Sequence, residues 1–187
     1  MYKKEIRVIG IDDSPFDKFK GKDVLIIGVV MRGGHSIDGI LSSKVKIDGN
    51  DSTAKIAGMV NRCKFKSQLR CIFLNGIAVA GFNVIDIKKL SRLTKLPVII
   101  VIRRMPDILK IKQTLLKIGK KEKIKKIDEA GQVSRIDKIF VQLKGIDMEN
   151  AKKILSIVCT RSNIPEPLRL AHIIASGVVD GESRGMA

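Results

Sequence analysis

Ile164-Pro165-Glu166-Pro167-Leu168-Arg169-Leu170-Ala171-His172 is read with Gly10-Ile11-Asp12-Asp13-Ser14 at the other end of the chain. Pro165 and Pro167 fix the backbone entering an apolar, helix-forming segment, with Glu166 near the positive end of its dipole. His172 then lies about two turns into that helix, and it is the only histidine outside a glycine-rich loop. The run Glu5-Ile6-Arg7-Val8-Ile9-Gly10-Ile11 reads as a strand and ends abruptly in two carboxylates. Asp12 shares parity with Ile6, Val8 and Gly10 and so points to their face of the strand. Asp13 points to the other face, or into a turn that Pro15 enforces. A carboxylate at the end of a buried strand is expensive unless it meets a cation or good hydrogen bonds. A turn-capping Asp-Ser-Pro is the alternative reading of the same residues.

Outward from these ends the chain reads as alternating elements. Strands are expected at Glu5–Asp12, Asp23–Arg32 and Ile37–Asp48, the last two joined by a Gly33-Gly34-His35-Ser36 hairpin. Asp51-Ser52-Thr53 can cap a helix to about Phe65, with Ile56, Met59, Val60 and Cys63 on one face. Leu69–Asn75 reads as a fourth strand, Gly81–Leu93 as helix, Pro97–Arg103 as a buried strand and Asp107–Ile118 as an amphipathic helix. A strand at Lys138–Leu143, a helix from Asp147 to about Arg161 and the His172 helix complete the order, before a short tail of mixed charge, Asp180–Gly185, expected to be mobile. Three meandering strands followed by helix–strand alternation is the order of the ribonuclease H fold, in which the first and fourth strands are central neighbours. The expected class is therefore α/β, a mixed central sheet with helices on both faces. The same alternation also fits other α/β domains. No repeat or linker divides the chain, so residues 1–187 are expected to form one domain.

With 187 residues, 44% of them hydrophobic, the chain can build one well-filled core. Its formal net charge of +17 points to a polyanionic partner, with nucleic acid first and an anionic membrane surface second. A lysine-rich surface of the thermophile kind is the alternative explanation. The membrane is disfavoured, since there is no Trp and the one Tyr is Tyr2. Met1–Glu5 lacks a signal-peptide core, and Cys63, Cys71 and Cys159 form no close pair. A cytoplasmic protein with reduced thiols is expected. Oligomeric state is not legible here.

The His172 segment and the Gly-Ile-Asp strand end resemble endonuclease V, which opens its fold with a Gly-x-Asp strand end and closes it with a Pro-Glu-Pro-x-Arg-Leu-Ala-His helix. The whole chain is similar to a family of small archaeal proteins related to that enzyme and named endonuclease dU, for a proposed deoxyuridine-directed nuclease. The matching stretches are Gly10–Asp13, Val30–His35, Ile47–Thr53, Gly76–Asp86 and Pro165–His172. The resemblance implies a nuclease using Mg²⁺ or Mn²⁺ on DNA with modified or deaminated bases. Asp12 would be metal ligand and catalytic residue, and His172 would be a second catalytic residue. Where endonuclease V ends its fourth strand in Asp before Gly, this chain has Asn75, which offers a neutral oxygen but no charge. Asp13, Asp48, Asp51 or Asp86 would have to supply it. The middle acidic ligand, a Glu in endonuclease V, has no motif match in this chain; the candidates are Asp48, which is preferred, and its rival Asp51. Each has a structural alternative, Asp48 in an Asp-Gly turn and Asp51 as a helix N-cap.

His172, read from residue type alone, is a ligand, a general base or a core histidine held by a carbonyl. Arg169, one turn earlier, would reach a phosphate or pair with Glu166. Arg103 to Lys126 holds ten Lys or Arg residues against Asp107 and Glu122. Within it Lys120, Lys121, Lys123, Lys125 and Lys126 form the expected nucleic-acid footprint, a solvated helix face being the alternative. Phe16, Phe19 and Phe82 lie near the expected site, where one could stack on a base or each could pack in the core. A nucleic-acid-binding module that keeps the fold with little hydrolysis is the second functional reading, and Asn75 makes it credible.

Overall fold

The computed structural model describes residues 4–19 and 21–183, so Tyr2 and the end of the tail at Arg184–Gly185 lie outside the described residues. In chain order, β1 (Arg7–Asp13), β2 (Asp23–Arg32) and β3 (Ser36–Lys46) form an antiparallel meander, followed by α1 (Ser52–Asn61) and β4 (Leu69–Asn75). A small hairpin, β5 (Ala78–Val79) and β6 (Asn83–Val84), precedes α2 (Ile87–Thr94), β7 (Val98–Ile102), α3 (Ile108–Lys117) and α4 (Ile124–Glu129). The chain continues through β8 (Ser134–Ile136), β9 (Ile139–Lys144), α5 (Met148–Val158) and α6 (Glu166–Asp180). Seven strands make one mixed sheet in the order β3-β2-β1-β4-β7-β9-β8. β1, β4 and β7 run parallel at its centre, with antiparallel strands outside. The first and fourth strands are neighbours, as the element order implies.

The two faces of β1 follow its period-2 pattern. Ile9 and Ile11 join Ile26, Ile72, Leu74, Ile56, Val60 and Leu90 under α1 and α2. Val8 on the opposite face joins Phe73, Val101, Val141, Ile154 and Leu168 under α5 and the start of α6. Farther along, Ala171 and Ala175 of α6 pack on Ile27, Val29 and Met31 of β2. Among the described residues no helix is long and apolar enough to cross a membrane.

Gly10 sets how closely α6 approaches the sheet. A β-carbon there would sit 2.4 Å from the backbone carbon of Pro167 and 2.5 Å from the amide nitrogen of Leu168. Backbone cannot move aside as a side-chain tip can. Gly10→Ala is therefore expected to destabilise the fold by about 1–3 kcal/mol, the usual cost of overpacking. Denaturant unfolding would show it. A midpoint unchanged from wild type would mean that α6 is not seated this tightly.

The segment expected as a helix from Gly81 divides differently. Its first part supplies Gly81 and β6 to the β5–β6 hairpin, whose turn places Ala80 (φ 48°) and Gly81 (φ 79°) in left-handed conformations that exclude a helix. The helix begins only at Ile87, capped by Asp86, whose Oδ1 accepts from the Lys89 amide at 2.7 Å. The helix at Ser52 stops at Asn61 rather than Phe65, and the one after Asp147 at Val158 rather than Arg161.

Candidate active site

The parallel strands β1, β4 and β7 deliver their C-terminal ends to one edge of the sheet. That edge carries Asp12 and Asp13, Asn75, and just beyond β7 the exposed Arg103. Helix α6 runs along β1 in the same direction, from Pro167 beside Gly10 to His172 beside Asp12. Asp12 faces α6, as its parity requires.

Asp12 is only 3% exposed and fully engaged. Its Oδ2 accepts from Asn75 Nδ2 at 3.0 Å and from His172 Nδ1 at 2.9 Å, while Oδ1 accepts from the Asp13 amide at 3.0 Å. A carboxylate accepts at Nδ1, so that nitrogen holds the proton and Nε2 faces away with its lone pair when the ring is neutral. The hydrogen bond to Asp12 raises the His172 pKa above its ordinary value, with burial and Arg103 opposing. Asn75 is exposed and opens the site to solvent.

Asp13 faces the opposite side of the sheet, where its Oδ2 accepts from the Ala80 amide at 2.7 Å. Burial raises its pKa to about 6, and the neighbouring Asp12 charge adds to that shift against the Ala80 hydrogen bond. The Ala80 carbonyl in turn accepts from the Asp48 amide at 2.9 Å. Asp48 thus joins the site through Ala80 and Asp13 and makes no hydrogen bond to Asp12. Its own Oδ1 accepts from the Phe82 amide at 2.7 Å, in a turn where Asp48 has φ 50°. Asp51 stands at the N-cap of α1, but its Oδ1 accepts from Asn83 Nδ2 at 2.7 Å and the Lys46 amide at 3.2 Å rather than from the helix. Asp12, Asn75 and His172 come together; Asp48 and Asp51 tie the neighbouring loops.

A protein-family model described as endonuclease dU matches residues 4–179. The chain belongs to the endonuclease dU family. A UPF0215 protein of Methanothermobacter thermautotrophicus is 47% identical over 190 residues, covering 99% of this chain and 93% of that one. A crystallised protein from Archaeoglobus fulgidus is 37% identical with a TM-score of 0.87, covering 92% of this chain and 98% of that one. Ciona intestinalis endonuclease V, solved with a 24mer DNA containing an inosine, is 19% identical with a TM-score of 0.57, covering 90% of this chain and 83% of that one. The last likeness is one of fold, and it makes the sheet of this endonuclease dU family member ribonuclease-H-like.

Divalent-metal chemistry is implied by that fold family, and the donors at the sheet edge bear on it. The Asn75 amide donates to Asp12 Oδ2 at 3.0 Å, and with the amide turned over its neutral oxygen would stand beside that carboxylate as a donor to a hard cation. Among the described residues no three His, Cys, Asp or Glu side chains group as ligands. Asp12 and Asn75 would offer a hard ion one carboxylate and one neutral oxygen, a donor set of little charge.

The basic segment needs correction. Lys123 is 0% exposed, and its Nζ donates to the carbonyls of Asp48 at 2.8 Å, Gly49 at 2.6 Å and Phe82 at 2.7 Å. All three ammonium protons are consumed inside the protein, so Lys123 does not face a nucleic acid. Burial and the Lys120 charge hold its pKa below the ordinary lysine value. Lys120 also donates to the Asp48 carbonyl, at 2.6 Å, and Lys126 reaches the Val84 carbonyl at 3.3 Å. Lys121 and Lys125 are exposed. Of the two roles expected for Arg169, the structure shows the pairing: Nε and Nη2 donate to Glu166 Oε2 at 2.9 and 2.7 Å.

Arg103 was not singled out from the sequence as a site residue. The available signal was its place directly after the third parallel strand, since such strands end at the same edge. It lies close enough to lower the His172 pKa.

Proposed function

We propose that this protein hydrolyses phosphodiester bonds in DNA carrying modified or deaminated bases, such as deoxyuridine, with Mg²⁺ or Mn²⁺. The observation that carries the reading is the convergence of Asn75 and His172 on the buried carboxylate of Asp12. Asp12 and Asn75 would hold the ion, which would neutralise phosphate charge and acidify a bound water. Asp12 fixes the His172 ring with Nδ1 protonated. Nε2 of His172 takes the proton from the attacking water as its oxygen adds to phosphorus and the sugar oxygen leaves. Arg103 supplies positive charge to the phosphate beside this edge. Lys121 and Lys125 contribute affinity through the backbone without reading sequence. Membership in the endonuclease dU family and the inosine-containing DNA bound to the Ciona enzyme support the substrate class.

A second reading is a binding module with little hydrolysis. The Asn75 amide favours it, because it supplies Asp12 with a hydrogen bond at the position where a second carboxylate would call for a cation. Two substitutions separate the readings. His172→Ala is expected to slow cleavage by about 10²-fold or more, the range of general acid–base groups, with oligonucleotide affinity unchanged. Asn75→Asp is expected to tighten Mn²⁺ binding in calorimetry and to keep or raise the rate. A His172→Ala protein that cleaves at the wild-type rate would remove His172 from the mechanism, and wild-type and Asn75→Asp proteins that bind strands but cleave none would refute the hydrolytic reading.

A further inference from the structure

We infer that the loop between β1 and β2 is a base-stacking element, with Phe19 as the stacking ring for an unpaired nucleobase of the bound strand. This inference rests on the nucleic-acid reading above.

The structure separates three phenylalanines that the sequence leaves equivalent. Phe16 packs against the core beneath α1 and α2, and Phe82 packs against the cluster of Val84, Leu115 and Ile127. Phe19 is 96% exposed. It is the most exposed of the large apolar side chains among the described residues, whereas the other two are packed. Its neighbours are charged or polar: Asp17, Lys18, Gly21, Lys22 and Asp23 are all exposed. A nucleobase needs only the ring face, with cations near for the phosphates on either side.

The location agrees. The loop leaves β1 directly after Asp12 and Asp13 and is closed at its base by the Ser14 amide donating to the Leu25 carbonyl at 2.9 Å. Lys18 leans over the Phe82 ring, 5.6 Å from its centroid, towards the hairpin whose Ala80 amide holds Asp13. The Phe19 amide donates to Asp17 Oδ1 at 2.9 Å and holds the backbone of the tip. A strand with a phosphate at Asp12 would therefore pass this loop within a few nucleotides.

The chain has no tryptophan, so Phe19→Trp installs a single reporter where stacking would occur. Without divalent metal and at low salt, that variant should bind oligothymidylate with strong quenching of its fluorescence. Phe19→Ala should bind the same strand about tenfold more weakly, within the range for loss of one base–aromatic stack. Its affinity for an abasic strand of equal length should match wild type. Oligothymidylate binding without quenching, or with equal affinity in Phe19→Ala and wild type, would overturn the role of Phe19 and leave the Asp12 site untouched. Failure of the wild-type protein to bind any strand would overturn both.

Discussion

Asp12→Asn should lower single-turnover cleavage by about 10⁴-fold, the loss expected when the carboxylate that fixes a base histidine's tautomer becomes an amide. The replacement has nearly the same shape, so thermal stability should change little. Its effect follows from the hydrogen bonds at Oδ2: Asn75 and His172 both donate to that atom. An amide can accept at one atom only, and its NH₂ would turn the His172 ring to the wrong tautomer. It would also remove the carboxylate from a site that already has Asn75 in place of an acid. Binding of uncleaved strands should persist, because Lys121, Lys125 and Arg103 supply affinity independently of Asp12. A variant keeping a tenth of the wild-type rate would show that the chemistry lies elsewhere.

Lys123→Met should destabilise the protein by about 2–4 kcal/mol. The Gly49 and Phe82 carbonyls lose their donor and the Asp48 carbonyl keeps only Lys120, at a cost offset in part because a buried ammonium is itself expensive. The matched control is Lys121→Met on the exposed side of the same turn, expected within about 0.5 kcal/mol of wild type. Denaturant midpoints of the two variants compare them directly. Equal midpoints would mean that Lys123 is an ordinary surface cation. The consequence extends to the site, because Asp48, whose carbonyl Lys123 holds, donates its amide to the Ala80 carbonyl, and the Ala80 amide holds Asp13.

Local periodicity carried much of the fold. The β1 parity that sends Asp12 to the α6 face and Asp13 to the other is a property of any strand, and the prolines at 165 and 167 marked the start of α6. The His172 contact with Asp12 was legible because the quoted motif named both partners. The β5–β6 hairpin was not. Gly81 to Leu93 has the apolar content of a helix, and the hairpin is imposed by distant residues: buried Asn83 accepts from the Ser52 amide at 3.1 Å and donates to Lys46 and Asp51. Lys123 was misplaced on the surface for the same reason. Charge density is visible in a sequence, whereas the nest of carbonyls that takes up Lys123 is made by residues 41 to 75 positions away. Asp48 and Asp51 were candidates by residue type, and only the tertiary structure reveals the amides that occupy their carboxylates.

The most direct test of a hydrolytic centre at Asp12, Asn75 and His172 is cleavage of end-labelled strands bearing one deoxyuridine, by purified wild-type protein in Mn²⁺ or Mg²⁺ and in excess chelator. Cleavage at a fixed position near the deoxyuridine, present with metal and absent with chelator, is the predicted result. Intact strands under every condition, with Asn75→Asp equally silent, would contradict it.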